Sequence, residues 1–172
     1  TVIERETTSD IGCGAIGVDL NANCVAVSET DRYGNLVSTK VISCVTRGKS
    51  SEQTKAIIGD AVKQVSAMAS NTGKPVVVEK LDFQRKKLES ANHDNGMLSN
   101  FAYSMFDSMI HAKCFRDSNE VVEINPAYTS VIGSVNYAQK HGISVHQSAA
   151  LAIARRGMRL SERPSARIAV MP

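Results

Sequence analysis

Between residues 13 and 44 the apolar positions fall into three short runs, at about 13–20, 23–29 and 36–44. They are separated by "NAN" and "TDRYGN". Short apolar runs bounded by Asn, Asp and Gly predict three strands joined as an antiparallel meander. The period then changes. In "SSEQTKAIIGDAVKQVSAMAS" the residues Ile57, Ile58, Ala61, Val62, Val65, Met68 and Ala69 recur at the spacing of one helical face. Ser50 and Gln53 form a capping box at its start, and "NTG" closes it. "KPVVVEKLDF" holds a short β-branched strand of the buried type, Val76 to Glu79. Residues 82–96 are polar and basic, a loop or a frayed helix. Leu98, Phe101, Ala102, Met105, Phe106, Met109 and Ile110 mark a second amphipathic helix, whose Met and Phe stripe reads as core. "NEVVEINPAY" is a fifth strand, ended by Pro126. A short helical segment at about 131–141 stops at Gly142. A last helix starts near Ser144, which with Gln147 makes another capping box, and ends at Gly157.

The order βββ-α-β-α-β-α predicts an α/β domain. Its sheet has five strands and is mixed: strands 1–3 form the meander, strands 4 and 5 run parallel to strand 1, and helices cover both faces. The expected layout is a flexible segment 1–10, a folded domain 11–160 and an Arg-containing tail 161–172. With 172 residues, 42% of them hydrophobic and 22% charged, the chain can build one ordinary core. No apolar run approaches the roughly 20 residues that span a membrane, so no membrane partner is expected. No signal peptide is visible. The chain does not begin with Met, which leads us to expect an excised piece of a longer protein. Cys13, Cys24, Cys44 and Cys114 form no C-x-x-C pair, and the expectation is reduced thiols in a cytoplasmic protein. "HAKC" offers His111 and Cys114 but no second ligand pair at metal spacing, so zinc is not expected.

The chemistry starts with Asp19, a carboxylate near the end of an otherwise apolar strand. A buried acid must be paired, protonated or bound to a cation. Glu79 ends the strand "VVVE". If that strand lies parallel beside the first, the two carboxylates end at the same edge of the sheet, where a divalent cation relieves their repulsion. His146 falls in the first turn of the last helix, where the helix dipole disfavours imidazolium and keeps a nitrogen lone pair available. A nitrogen beside two carboxylates shifts preference from Mg²⁺ towards Mn²⁺. Asp82 reads as a loop residue near this site, and Glu123 as exposed on strand five. Arg85, Lys86 and Lys87 form one basic cluster. Arg155 and Arg156 begin a second, which continues through Arg159, Arg163 and Arg167. A net charge of +3 permits an anionic partner without demanding one. Beside a metal site these clusters make candidate phosphate contacts.

"GVDLNANCVAV", "VVVEKLDF", "MLSNFAYSMF", "VVEINPAYTSVIG" and "HQSAALAIARRG" resemble the successive segments of TnpB/OrfB-related proteins of bacterial insertion sequences. The RuvC-like nuclease domain of that family belongs to the RNase H-like superfamily. The resemblance spans most of residues 15–160. It implies an RNase H-like fold and metal-dependent cleavage of DNA phosphodiesters, with Asp19 and Glu79 on the first two positions of an acidic triad. It also implies Mg²⁺ or Mn²⁺ in a two-metal site: Asp19 bridges two cations, Glu79 holds one, and His146 completes the other site or assists proton transfer. DNA is the implied partner; an RNA guide, an RNA–DNA hybrid, a branched substrate of the Holliday-junction type and a homodimer stay open. The chain departs from the family in three places. His146 stands where the third acid is usually Asp. Ala149 stands where RuvC resolvases often add another acid. The four-cysteine zinc ribbon that usually follows "NPAYTS" is replaced by "VIGSVNYAQKHGIS".

Two other readings remain at this point. One is an RNase H-like nucleic-acid-binding module with a weakened site. The other is an actin-like or sugar-kinase half, since "GVDLNANCVAVS" also resembles an acid-plus-hairpin phosphate loop; that reading lacks the second glycine-rich loop and second domain it needs.

Overall fold

The computed structural model describes residues 6–80, 100–160 and 162. Five strands form one sheet in the order β3-β2-β1-β4-β5: β1 (Ile16–Leu20), β2 (Cys24–Thr30), β3 (Leu36–Ser43), β4 (Val76–Glu79) and β5 (Val121–Ile124). β1, β2 and β3 pair antiparallel as a meander, and β4 pairs parallel with both β1 and β5. The expected mixed sheet is therefore present, with the parallel strands at its centre and one edge.

Among the described residues two helices cover one face: α1 (Ser51–Thr72) and α2 (Asn100–Arg116). Ile58, Val62 and Val65 of α1 meet Phe106 and Ile110 of α2 over Ile16, Val18, Val25, Val27, Val76 and Val78 of the sheet. The opposite face carries α3 (Thr129–Gly133), α4 (Gln139–His141) and α5 (Val145–Gly157). A π-helical turn, Ser134–Ala138, joins α3 to α4. Strand alternation sorts the side chains: Val76 and Val78 face α1 and α2, whereas Val77 packs with Ile153 and Ala154 of α5.

α5 is buried along an unbroken run from Ser148 to Ala154. A helix hidden on all sides needs small residues to approach its neighbours. Here Ala149, Ala150, Ala152 and Ala154 supply them from within, Gly17 of β1 from the sheet and Gly133 of α3 from above. A Cβ on Gly17 would stand 1.9 Å from the carbonyl oxygen of Ala150, and one on Gly133 would stand 2.4 Å from that of Ser148. Ser28 of β2 donates to the Gln147 carbonyl at 2.8 Å, satisfying one polar group in that packing.

Both expected capping boxes form, at Ser50–Gln53 and Ser144–Gln147. The first strand is shorter than expected. Ile11–Cys13 make a 3-10 turn capped by Asp10, and Gly14 follows at φ +128, where a Cβ would lie 2.2 Å from the Thr30 carbonyl oxygen. Within the segment 1–10, Thr8 and Asp10 are tied in: Thr8 N–H donates to the Ser118 carbonyl and Asp10 N–H to that of Gly73, each at 2.9 Å. On α2, Ala102, Phe106 and Ile110 are buried as the stripe predicts and Cys114 extends it, while Phe101 is exposed. The short helical segment begins two residues earlier than expected, at Thr129, and ends at Gly142 in a left-handed conformation. Among the described residues no helix is long and apolar enough to cross a membrane. All four cysteines are unpaired. Burial pushes the Cys114 thiol up to about 11, so it stays protonated near neutral pH.

Candidate active site

Asp19 and Glu79 meet because of register. β1 pairs with β4 through Ile16↔Val76 and Gly17↔Val77. Two residues further along parallel strands bring Asp19 level with Glu79. Alternation puts both on the face of Gly17 and Val77, the face α5 covers. Sheet and helix then converge: the Ser144 cap starts α5 so that His146 lies in its first turn, and His146 Nδ1 stands 3.3 Å from Asp19 Oδ2. The structure thus sets His146 beside Asp19 and places Glu79 at the neighbouring strand end, near enough to act on the Asp19 carboxyl electrostatically.

Asp19 is nearly buried, whereas the His146 side chain is 52% exposed. The site is open to solvent on the histidine side and closed beneath the acid. Burial is the main reason the Asp19 carboxyl is raised to about 6, and Glu79 raises it further. Hydrogen bonding from Asn21 and the proximity of His146 oppose that rise. An acid held so far above its ordinary range, next to a second acid, is short of neighbouring positive charge. That is the condition a divalent cation meets. Asp19, Glu79 and His146 are the residues that would hold it.

Two further residues shape the site that the sequence did not flag. Asn21 Nδ2 donates to Asp19 Oδ2 at 3.0 Å and fixes one carboxylate oxygen. Thr129, buried at the start of α3, donates through its hydroxyl to Glu79 Oε1 at 2.5 Å. Both lie inside quoted motifs, Asn21 in "GVDLNANC" and Thr129 in "INPAYTS". Asn21, two residues from Asp19, was an available signal; Thr129 stands fifty residues from Glu79 and gave none.

The basic residues divide. Arg85, Lys86 and Lys87 lie outside the described residues, as does Asp82. Arg155 is engaged within the fold. It donates to the Gly34 carbonyl at 2.7 Å, pairs with Glu162 and lies over the Tyr137 ring, whose hydroxyl also donates to Glu162. Arg156 donates to the carbonyls of Asn125 and Ala127 at 2.5 and 2.7 Å. A phosphate contact from either arginine would have to compete with these bonds. Ala149 is buried under α3, so the place of the additional acid is part of the core.

No family model matches the chain, and no curated protein matches it. Solved structures do. The chain is similar to RuvC of Thermus thermophilus, with 14% identity and a TM-score of 0.58, over 86% of this chain and 98% of that one. It is also similar to T. thermophilus RuvC in complex with a Holliday junction substrate, with 14% identity and a TM-score of 0.54, over 81% and 88% of the two chains. With the strand order and the pairing pattern, these likenesses show that the fold is RNase H-like.

Proposed function

We propose that this RNase H-like chain is a divalent-metal-dependent nuclease domain that hydrolyses DNA phosphodiesters, and that it is related to the RuvC-like domain of TnpB/OrfB-type transposon proteins. The observation that carries the reading is the convergence of Asp19, Glu79 and His146, with Asp19 nearly buried and its carboxyl raised to about 6. Mn²⁺ or Mg²⁺, when bound, would neutralise the scissile phosphate and acidify an attacking water. The residues do the rest. Asn21 holds one Asp19 oxygen and Thr129 one Glu79 oxygen, so both carboxylates are fixed before substrate arrives. His146, the exposed member, faces the side from which a DNA strand can approach, where it would complete the metal site or, instead, give a proton to the leaving oxygen. The T. thermophilus RuvC complex with a Holliday junction supports branched DNA as the first substrate to test. A displaced strand opened by an RNA guide is the other substrate the TnpB resemblance supports. Either would be reached in the cytoplasm.

A second reading is a nucleic-acid-binding module of the same fold that does not cut. It is favoured by His146 and the buried Ala149 where relatives of the motif carry acids. His146 separates the two. If it is a working ligand, His146→Asp keeps or raises cleavage and moves preference towards Mg²⁺, because carboxylate oxygen suits the harder ion and the helix N-terminus favours the added negative charge. His146→Ala then loses cleavage with both ions. Equal inactivity of the wild type and His146→Ala supports the module. Wild-type cleavage that survives His146→Ala unchanged contradicts the role given to this histidine.

Electrostatic contact with DNA is tested at the basic cluster. Changing Arg85, Lys86 and Lys87 together to Ala is expected to weaken DNA binding at any sequence. If three phosphate contacts go, the slope of log affinity against log salt flattens by about 2–3. A titration at several salt concentrations reads it, and an unchanged slope removes the cluster from the interface.

A further inference from the structure

A second group of metal-ligating side chains lies on the other face of the sheet. Glu123 is paired with Val78 across β4 and β5, one residue out of phase with Glu79, so it stands on the α2 side. Asp107 and His111, one turn apart on α2, meet it there. His111 Nε2 lies 3.3 Å from Glu123 Oε1, and His111 Nδ1 lies 3.5 Å from Asp107 Oδ1. One ligand atom from each residue lies within 4.8 Å of the others.

The orientation of the ring is informative. His111 Nδ1 is 2.8 Å from the Asp107 carbonyl oxygen. A carbonyl only accepts, so Nδ1 carries its hydrogen and donates. Nε2 is then aimed at a carboxylate. A cation held there would have Nε2 on one side and the Glu123 carboxylate on the other. A ring nitrogen that donates to a backbone carbonyl fixes the ring so that the opposite nitrogen can serve a metal, which is how metal-bound histidines are held.

We infer that Asp107, His111 and Glu123 form a second divalent-cation site, which takes a transition metal such as Zn²⁺ through His111 Nε2 and the two carboxylates. The spacing fits. Ligand atoms 3.3 Å apart, each about 2.1 Å from an ion, subtend roughly 104° at it, near the tetrahedral angle. One imidazole with two carboxylates suits Zn²⁺ or Co²⁺ better than Mg²⁺. The three side chains are each partly exposed, so an ion can enter from solvent, and three protein ligands leave a position for water. The ion would clip α2 to the edge strand β5, and β5 in turn pairs with the strand that carries Glu79. The "HAKC" spacing does not reveal such a site, because its partners are a residue one turn back and a residue on a different element.

The test isolates this site from the first. In the untagged Asp19→Asn/Glu79→Gln variant, a Co²⁺ titration followed by its visible absorption, and a Zn²⁺ titration by calorimetry, are expected to show one saturable equivalent. Adding Glu123→Gln or His111→Gln is expected to weaken that affinity at least about tenfold, with circular dichroism unchanged. No saturable binding in the double variant overturns the proposal. So does binding that neither Glu123→Gln nor His111→Gln alters. The first of these results leaves the Asp19 site untouched, because that site is already disabled in the protein tested.

Discussion

Asp19→Asn is expected to abolish cleavage and, in metal-free solution, to make the protein more stable. The loss of cleavage should be at least about 10³-fold, the rate equivalent of roughly 4 kcal/mol of metal-supplied transition-state stabilisation. The gain in stability follows from linkage. The Asp19 carboxyl is raised from 3.8 to about 6, chiefly by burial. The unfolded chain therefore ionises at this position first as pH rises. Between pH of about 4 and 6 the folded state holds the extra proton, so wild-type stability falls through that window and levels off above it. The whole fall is on the order of 3 kcal/mol. Asparagine has no such window. Urea unfolding in EDTA at pH 4, 5, 6 and 7 should show the variant drawing ahead of the wild type up to pH 6 and staying ahead. Adding Mn²⁺ at pH 7 should raise the melting temperature of the wild type by more than that of the variant. Parallel pH curves for the two proteins would mean Asp19 is not held against its charge.

The second large effect is expected at Gly17. Its missing side chain lets β1 lie against the backbone of α5: an added Cβ would stand 1.9 Å from the Ala150 oxygen and 2.6 Å from the Ala154 nitrogen. Neither neighbour is the end of a flexible side chain. Gly17→Ala must push strand and helix apart along the length of a buried helix, at a cost of about 3 kcal/mol or more. A domain stable by about 5–15 kcal/mol loses much of its margin. The same displacement carries His146 away from Asp19, so metal affinity should fall together with the unfolding midpoint. A variant within about 0.5 kcal/mol of wild type would show that the close approach of β1 and α5 is absent.

The parts of this molecule legible in its sequence are those set by local pattern. Short apolar runs and turn residues placed the meander, the two capping boxes placed the starts of α1 and α5, and the acid in an apolar strand drew attention to Asp19. Glu79 followed because a parallel β4 beside β1 leaves little freedom of register. What was not legible depends on contacts between distant segments. Thr129 reaches Glu79 only because α3 folds back over the sheet, and the quoted motif does not say which way its hydroxyl points. Arg155 looked like part of a basic surface cluster, yet the turn between β2 and β3 and the side chain of Glu162 occupy its guanidinium. The π-helical turn at Ser134–Ala138 has no sequence mark that helical periodicity would detect. Gly17 read as one small residue in an apolar run, and only the packed helix above it explains why no larger residue stands there.

The most direct test of the account is a cleavage assay with end-labelled branched, single-stranded and RNA–DNA hybrid substrates. Wild type, Asp19→Asn and His146→Ala are compared in EDTA, Mg²⁺ and Mn²⁺. The expected result is cleavage of at least one substrate by the wild type, strongest with Mn²⁺, absent in EDTA and absent in both variants while DNA binding persists. Cleavage by the wild type that survives in EDTA, or that Asp19→Asn leaves unchanged, would contradict a metal-dependent site built on Asp19.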